Sequence, residues 1–493
     1  MSRVTDSVKE AGARPRKLSR LTAISYGAGA SADGIKSTAY GTFLLFFYQQ
    51  LLGVPGTLVG LALGLSIIVD AITDPLVGQL SDRTSTRYGR RHPYLALAAV
   101  PLAVTFFFLF NPPKGLSDFG YFTWLLFFAV SARIALTLYD IPHLALGAEM
   151  APSYEQRTGL FAVSSGFRVV VGALTTFLAY KFLFPTTDLY DPGLLNPDGY
   201  FWLGLVSGIM MFLAMAVCFF GTLNIVPLLR KTEGALNVNL ISIFGEMFRL
   251  SKSPSFRAVF FGLFIYVMAV NMDQSYSAYI GLHFWNLTTE SMAYMPLASL
   301  GGAITALVVV RPLAKLLDKK RLLIATTLLS VVNLNIFICG RLFFPNLFPA
   351  NGDSIIVWMV GLNYFLVGFI GLTILTTINS MYADLADEHE LLTGNRREAT
   401  LYATRSFANK GAAAIGVTLS GIALEMISFP EAAKVGAVSE GVVWNLGLLY
   451  GPIISIVWLL TVWLYSKYRI DRKSHQDICD QIAARTQGVG AKA

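Results

Sequence analysis

The chain has 493 residues, of which 54% are hydrophobic and only 14% are charged. Soluble domains carry about 25% charged residues. This balance, with a mean hydropathy of +0.58, therefore excludes an ordinary soluble protein and a disordered, collagenous or nucleic-acid-binding chain. The net charge of +8 is typical of the excess of Lys and Arg in the cytoplasmic loops of a membrane protein. We expect a lipid bilayer, and no nucleic acid, among its partners.

Twelve apolar stretches follow one another along the chain, each near the roughly 20 residues that a bilayer span needs. They lie at 22–50, 56–81, 93–111, 119–147, 159–184, 201–226, 258–284, 290–314, 321–343, 355–381, 399–427 and 441–466. The pattern predicts an all-α membrane protein with twelve transmembrane helices. In this prediction 22–226 and 258–466 are two six-helix halves, and the polar segment 227–257 is a cytoplasmic linker.

The distribution of basic residues predicts the orientation. They cluster in segment 1–21, after the second and eighth stretches, in the linker, at Arg396–Arg397 and in segment 467–493. Because cytoplasmic loops retain Lys and Arg, we expect both terminal segments to be cytoplasmic tails. Segment 1–21 is polar and unlike a cleavable signal peptide. With no cysteine framework either, these features suit the inner (plasma) membrane of a bacterium.

The linker contains one segment with helical periodicity. Leu240–Leu250 alternates apolar and polar residues at helical spacing. It is either an amphipathic helix on the inner membrane surface or a loop segment that caps the bundle. Neither interpretation decides the function.

Two sets of six spans joined by a cytoplasmic linker are typical of the major facilitator fold, in which substrate binds at the midplane between the halves. A channel or a membrane enzyme can also have twelve spans. The sequence shows no pore ring, no HExxH spacing and no nucleophile elbow, so we expect neither. The cysteines Cys218, Cys339 and Cys479 show no disulfide or metal spacing, and we expect no cofactor.

The second stretch carries two acids at membrane depth, where each ionisable group costs about 2.5–3.5 kcal/mol. Asp70, Thr73 and Asp74 share one helical face because they are three and four positions apart. Their oxygens can bind a hard cation such as Na⁺ as a metal site, or the two carboxylates can share a proton. In the alternative, Asp74 only satisfies the backbone near a kink at Pro75.

The fourth stretch carries Arg133, Thr137 and Asp140 on a single stripe, at positions i, i+4 and i+7. Asp140 precedes Ile141–Pro142, where a helix break can expose backbone carbonyls beside it. We expect Asp140 in the site, whereas Arg133 either binds a polar solute or is a structural counter-ion.

Lys410 lies in the eleventh stretch and is followed by the small residues Gly411 to Ala414. Small residues allow close helix approach, which would bring Lys410 near the acids of the other half. It can pair with whichever carboxylate is free of its cation, as coupling requires, or it can form a static salt bridge.

Three other stretches hold isolated charges. Asp33 lies three positions before Lys36 in the first stretch, Arg168 lies in the fifth and Asp273 in the seventh. Asp33 either faces the cavity or only pairs with Lys36. Asp273 is equally consistent with substrate contact and with structural pairing.

Four strings of residues resemble one family. They are SYGAGA at Ser25–Ala30, DAITDPLVGQLSDRTSTRYGRRHPY at Asp70–Tyr94, YDIPH at Tyr139–His143, and the stretch Ala383–Lys410. Together they resemble the glycoside–pentoside–hexuronide:cation symporters, the melibiose-permease-like branch of the major facilitator superfamily. The resemblance implies Na⁺- or H⁺-coupled symport, and we expect a monomer. The animal lysophospholipid transporters of this branch are similar at the same places.

Residue by residue, the resemblance implies roles for the charges described above. The family's cation site corresponds to Asp70, Thr73, Asp74 and Thr137, and its coupling lysine corresponds to Lys410. Asp140 matches an acid that the sugar carriers use for substrate. Arg168 matches their arginine in the fifth span, although its spacing from Arg157 is longer here by about one helical turn. With Asp33 and Asp273, these two residues form the expected substrate site.

The sequence departs from the sugar carriers in the substrate region. Their aspartate in the first span aligns with Gly34, one position after Asp33. Leu136 and Leu144 replace the aromatic residues that flank the acid of the fourth span, and Ile67 replaces an arginine. The coupling residues are kept, whereas the substrate pocket differs.

The loop Asp82–Arg91 resembles the inner gate of major facilitators. In it, Asp82, Arg83, Arg87, Arg90 and Arg91 are expected to latch the gate through ion pairs and helix ends. The alternative is a basic loop that only sets the topology. Ala383–Glu398 corresponds to the gate of the second half.

The leading hypothesis is cation-coupled import of a sugar or glycoside by alternating access. The alternative cargo is an amphipathic or other organic solute such as a lysophospholipid, which the two leucines near Asp140 favour. In either case, the cation would bind Asp70 and Asp74 and release Lys410. The solute would bind next, and the loaded carrier would reorient.

Overall fold

A computed structural model of the chain describes residues 18–151, 153–228, 249–393, 398–431 and 438–490. Nearly all of the backbone in these ranges is helical. Segment 1–17, most of the predicted linker and Arg396–Arg397 lie outside the described residues, and so does most of Leu240–Leu250.

The first half consists of spans 1 to 6, numbered along the chain. Span 1 comprises the helices Arg20–Gly29 and Ser31–Ala39 and the wider π-helical turns Tyr40–Leu44 and Phe47–Leu51. Spans 2 to 6 are the helices Gly56–Arg83, His92–Leu109, Asp118–Met150, Tyr154–Leu178 and Pro197–Thr222. Short turns lie at Ala179–Leu183, Gly193–Leu195 and Leu223–Leu228.

The second half consists of spans 7 to 12. Spans 7, 9, 10 and 11 contain the helices Pro254–Tyr279, Lys319–Phe343, Ser354–Thr393 and Glu398–Met426. Span 7 continues into a π-helical turn at Ile280–Phe284, and a 3-10 turn lies at Pro345–Leu347. Span 8 joins Thr289–Met292 to Tyr294–Leu317, and span 12 joins Glu440–Leu448, Leu449–Ile453 and Ile454–Ser466. The C-terminal helix Arg472–Gly490 follows.

Eleven helical segments, spans 2 to 12, are long and apolar enough to cross a membrane, by length and composition, among the residues that the structure describes. The first predicted stretch is helical too, but it is not one of the eleven. A turn at Ala30 and two π-helical segments divide it, so that its α-helices are only 10 and 9 residues long. The all-helical architecture of a major facilitator is confirmed.

Span 2 separates a lipid-type face from the face that carries the acids. Leu65, Ile68, Ile72 and Leu76 recur every three or four positions and are 42–55% exposed. Such a stripe of exposed aliphatic side chains suits contact with acyl chains, because hydrocarbon imposes no cost on apolar surface. The carboxylates therefore point into the protein.

The two halves approach closely where span 2 meets span 11. Gly56, Gly60 and Gly64 recur every four residues on span 2 and face span 11. A Cβ at Gly60 would lie only 2.9 Å from the Thr418 carbonyl oxygen, and Thr418 Oγ1 donates to the Gly60 carbonyl at 3.2 Å. Small residues at this spacing let two backbones touch. The contact brings the acids of one half within reach of Lys410 in the other.

We call the end of the bundle with residues 49–57 and 279–290 the outer end, following the charge prediction, and the opposite end the inner end. Hydrogen bonds cross between the halves at the outer end. Tyr279 Oη donates to Gln49 Oε1 at 2.9 Å, and Gln50 Nε2 donates to the Pro430 carbonyl at 3.0 Å. Glu290 accepts from the Thr186 backbone N–H at 2.7 Å and from its hydroxyl at 2.9 Å. These bonds join the two halves at the outer end.

Candidate functional site

Lys410 lies between the two acids of span 2. Its Nζ is 2.8 Å from Asp70 Oδ2 and 2.5 Å from Asp74 Oδ2. On the other side, the Thr137 hydroxyl lies 2.7 Å from Asp70 Oδ1 and 3.1 Å from Asp74 Oδ1. One ammonium and one hydroxyl thus hold four carboxylate oxygens in a compact group, which we call the acid cluster.

Arg133 belongs to the same cluster. Its NH1 lies 3.8 Å from Asp70 Oδ2, and its Nε donates to Ser66 Oγ at 2.8 Å. The guanidinium also lies over the Tyr40 ring, 5.1 Å from the centroid. Two acidic side chains, Asp70 and Asp74, then face two basic side chains, Lys410 and Arg133, and their formal charges balance.

Thr73 occupies a different position from Thr137. Its hydroxyl donates to the Asp70 backbone carbonyl of its own helix at 3.2 Å. Such a bond to a preceding carbonyl is common for threonine in helices and engages the proton of the hydroxyl. The predicted role of Thr73 in cation binding stays a prediction, whereas Thr137 contacts both acids directly.

A second group of charges lies between spans 1, 4 and 5. Arg168 Nε is 3.2 Å from Asp33 Oδ2, and Lys36 Nζ is 3.6 Å from Asp33 Oδ1. Asp140 interacts electrostatically with Asp33, Arg168 and Lys36. The Arg168 side chain is 49% exposed, so this group is open to a solute. The structure brings together three of the four residues predicted to bind substrate.

Asp273, the fourth of these residues, lies elsewhere. It lines a cavity of about 400 Å³ between the halves, together with Tyr450. Trp285 and Tyr364 contribute aromatic surface to the same cavity, and Asn363 contributes an amide. Residues of the first half complete the wall, namely Thr38, Thr42, Val169, Ala173, Thr176 and Tyr180. Val169 directly follows Arg168 in the chain, so span 5 contributes to both the cavity wall and the second charge group.

Two of the strings that carry the family resemblance pack against each other. Tyr26 of SYGAGA stacks on His143 of YDIPH, with ring centroids 4.1 Å apart, and His143 Nε2 contacts the Tyr26 carbonyl at 2.9 Å. Tyr139 stacks on the other side of the same imidazole, with centroids 5.2 Å apart. Gly29 and Gly147 leave the space that these tyrosines occupy. The stack fixes span 1 against span 4 and so positions Asp33 beside Asp140.

At the inner end of the first half, Arg91 is the centre of the predicted gate. It is buried, and it binds Asp82, Ser81 Oγ (2.6 Å) and Glu149 (2.9 Å). Arg90 adds a second ion pair to Glu149 at 3.0 Å. The contacts tie span 2 and the following loop to the end of span 4.

The two remaining arginines of this loop behave differently. Arg87 lies over the exposed Tyr88 ring, 4.7 Å from its centroid. Arg83 lies in the last turn of span 2, where a cation is favoured by the helix dipole. The gating role of all five residues stays a prediction.

The inner end of the second half has a matching acid. Asp384 on span 10 accepts from Lys319 Nζ at 2.7 and 2.8 Å and from Tyr468 Oη at 3.2 Å. His475 of the C-terminal helix lies 3.1 Å from Asp387 and 3.4 Å from Asp384. The predicted gate stretch therefore docks the C-terminal helix as well as the loop after span 8.

The ion pairs named at the inner end each join groups of one half, whereas the hydrogen bonds named at the outer end join the two halves. The described hydrogen bonds therefore join the two halves at the end that the charge prediction assigns to the outside.

Sequence reasoning missed several residues of these groups. Ser66 and Tyr40 support Arg133, and Glu149 is the main partner of the loop arginines. Glu149 was detectable, because it is an acid at the inner end of an apolar stretch. Trp285 and Tyr450 carried no such signal, since aromatic residues are common in every span.

Comparison with known proteins identifies similar membrane transporters. A family model described as "MFS/sugar transport protein" matches residues 25–472. The uncharacterized symporter sll1374 of Synechocystis is 26% identical, over 96% of this chain and 98% of its own. The isoprimeverose transporter of Lactiplantibacillus pentosus is 23% identical, over 85% of this chain and 84% of its own. The glucuronide carrier protein homolog of Escherichia coli is 25% identical, over 84% of this chain and 87% of its own.

Solved structures of low sequence identity share the fold. A D-xylose-proton symporter superposes with a TM-score of 0.61 over 92% of this chain and 98% of its own, at 14% identity. The nucleoside transporter NupG superposes with a TM-score of 0.61 over 90% of this chain and 99% of its own, at 11% identity. At these identities the likeness concerns the fold alone.

Proposed function

This chain belongs to the MFS/sugar transport protein family, and we propose that it is a cation-coupled symporter that imports a sugar or glycoside by alternating access. It is a multi-pass membrane transporter and not an enzyme. In this proposal the protein lies in the inner membrane of a bacterium, with both termini in the cytoplasm, and works as a monomer. The coupling ion is Na⁺ or H⁺.

The observation that carries the proposal is the position of Lys410. Its ammonium occupies the space between Asp70 and Asp74 that a coupling cation would take. The acids belong to the first half and the lysine to the second, so the cation competes with an ion pair between the halves. Oxygen ligands from Asp70, Asp74 and Thr137 suit Na⁺, and the same carboxylates can accept a proton.

The charges of the acid cluster support an exchange of one cation for another. With Lys410 in place, two carboxylates face Lys410 and Arg133. If one monovalent cation enters while Lys410 leaves, the formal charge stays unchanged. Such a swap leaves neither Asp70 nor Asp74 unpaired at membrane depth, where an unpaired charge would cost several kcal/mol.

The second charge group and the cavity support a polar, ring-shaped solute. Asp33, Asp140 and Arg168 offer acceptors and donors for hydroxyl groups. The cavity adds Trp285, against which the apolar face of a sugar ring can pack. The alternative amphipathic cargo has less support. Leu136 is buried and Leu144 is 56% exposed, so the two leucines do not form one apolar wall beside Asp140.

Span 4 and Lys36 link the two sites. Thr137 of the acid cluster and Asp140 of the second group are one helical turn apart on span 4. Lys36 pairs with Asp33 and also interacts electrostatically with Asp70. Cation binding at the acid cluster therefore changes the field at the solute groups, which is the basis of coupling in this proposal.

Uphill transport into proteoliposomes tests the proposal. Purified protein would be given an imposed Na⁺ gradient, an imposed pH gradient or neither, with radiolabelled glycosides and pentosides and, separately, a lysophospholipid. We expect accumulation of a sugar or glycoside above its external concentration with one of the two gradients. If only the lysophospholipid accumulated, the proposed sugar or glycoside substrate would be wrong. If solutes only equilibrated under both gradients, symport itself would be contradicted.

A further inference from the structure

A basic groove of about 1080 Å³ lies at the inner end of the second half, away from both charge groups described above. The ends of spans 7, 8, 9 and 12 and the start of the C-terminal helix form its walls. Eight Lys and Arg residues line it, against two Asp residues. This excess of positive charge is more than one cytoplasmic loop supplies, because residues from three separated segments of the chain converge on one concave surface.

The two acids of the groove are engaged with helix ends. Asp318 Oδ1 accepts from the Lys319 backbone N–H at 2.8 Å, at the start of span 9. Asp471 Oδ1 accepts from the Ser474 backbone N–H and its hydroxyl, both at 2.8 Å, at the start of the C-terminal helix. As capping groups, they serve the helix termini, and Asp471 also interacts electrostatically with Lys473. Two acids against eight basic residues leave the groove with a formal charge of +6.

Three of the basic side chains bind neutral partners. Lys320 Nζ donates to the Tyr468 carbonyl at 2.8 Å, and Arg472 donates to the Lys315 carbonyl at 3.0 Å. Arg257 donates to the Ser251 carbonyl at 3.1 Å. A carbonyl orients a cation without cancelling its charge. Within the described part of the chain, none of the eight forms an ion pair with a carboxylate.

Exposed apolar side chains adjoin the basic residues. Trp463 is 56% exposed and lies under Lys467, whose Nζ is 5.4 Å from the ring centroid. Phe261 and Leu316 are 47% and 79% exposed and line the same groove. A soluble phosphate would need no apolar rim, whereas a phospholipid places acyl chains directly below its phosphate. Trp is also typical of the membrane interface, where one end of the side chain is apolar and the other wet.

We propose that this groove binds the phosphate headgroup of an anionic phospholipid from the adjoining leaflet. The phosphate contacts the converging Lys and Arg side chains, and the acyl chains run along Phe261 and Trp463. The bound lipid links spans 7 and 12 to the start of the C-terminal helix. The site is independent of the proposed cation and solute sites, because it lies within one half.

A charge-neutralising variant tests the site on the full-length protein. Arg321, Arg469 and Lys473 line the groove with exposed side chains, and the triple variant Arg321→Gln, Arg469→Gln, Lys473→Gln removes three charges. The matched control Arg20→Gln, Lys252→Gln, Arg311→Gln removes three exposed charges outside the groove. Both are titrated in detergent with phosphatidylglycerol and with phosphatidylcholine of the same acyl chains, and the melting temperature is followed.

We expect phosphatidylglycerol to stabilise the wild type and the control variant more than phosphatidylcholine does. The groove variant should lose about a hundredfold in apparent affinity for phosphatidylglycerol, since each basic residue near an anionic headgroup contributes about a factor of five. An equal loss in the control variant would overturn the site. If inorganic phosphate or glycerol phosphate stabilised the protein as much as phosphatidylglycerol does, the occupant would not be a lipid. If phosphatidylcholine and phosphatidylglycerol stabilised it equally, the proposed headgroup contact would be wrong.

Discussion

Lys410 on span 11 donates to Asp74 on span 2 at 2.5 Å, across a sequence separation of 336 residues. The same ammonium lies 2.8 Å from Asp70, so a single side chain of one half holds both acids of the other. Removing either partner changes both the cation site and the contact between the halves. The first two predictions test this relationship.

Replacement of Asp70 by Asn should abolish gradient-driven accumulation. The amide cannot carry the negative charge that attracts the cation, and Lys410 keeps Asp74 as its partner. Uptake into proteoliposomes under the effective gradient measures the effect, with Asp198→Asn on the exposed start of span 6 as control. Full accumulation by Asp70→Asn would show that the acid cluster is not the coupling site.

Replacement of Lys410 by Gln should strengthen cation binding. The lysine competes for the same carboxylate oxygens, and hydrogen bonds between charged groups contribute about 1.5–3 kcal/mol. We expect the NaCl or proton concentration at half-maximal thermal stabilisation to fall by about tenfold or more. Lys114→Gln, in an exposed turn, is the control. Unchanged midpoints would mean that Lys410 forms a static salt bridge.

Asp140→Asn should weaken solute binding while the cation still stabilises the protein. Asp140 belongs to the second charge group, whereas Lys410 contacts Asp70 and Asp74. The measurement is the thermal shift with the transported solute at saturating cation, compared with the shift for cation alone. Asp273→Asn is tested in parallel. A loss of solute affinity in Asp273→Asn alone would move the solute site to the cavity.

Gly60→Ala should destabilise the protein, because its Cβ would lie 2.9 Å from the Thr418 carbonyl oxygen. Overpacking of this kind costs about 1–3 kcal/mol. Gly159→Ala is the matched control, since nothing lies within 4 Å of a Cβ there and alanine favours a helix. Thermal unfolding should show a lower melting temperature for Gly60→Ala only. Equal melting temperatures would contradict the close contact of spans 2 and 11.

Arg91→Ala should lower the melting temperature far more than Arg87→Ala. Arg91 is buried against Asp82 and Glu149, whereas Arg87 contacts only an exposed ring among the interactions described above. Removing one partner of a fully buried ion pair costs about 3–5 kcal/mol. The cost is smaller here, because Asp82 is 40% exposed and Arg90 retains Glu149. Similar melting temperatures would mean that the loop serves topology alone.

The sequence by itself determined the apolar spans, their division into two halves and the identity of the charged residues within them. These conclusions follow from residue type and local spacing, because a bilayer requires long apolar segments and makes each charge costly. Asp70 and Asp74 were visible as a pair for the same reason, as they are four positions apart on one helix. The irregular span 1 was not predicted, since a π-helical turn changes the hydrogen bonds without changing the composition.

Only the tertiary structure decided which charges meet. Asp273 and Asp140 look alike in the sequence, but Asp140 joins Arg168 and Asp33, whereas Asp273 lines a separate cavity with Tyr450. The basic groove likewise combines residues from segments that are up to 216 positions apart, from Arg257 to Lys473. Such contacts depend on how helices pack across the two halves. Residue type and spacing describe one helix at a time and therefore leave the partner helix undetermined.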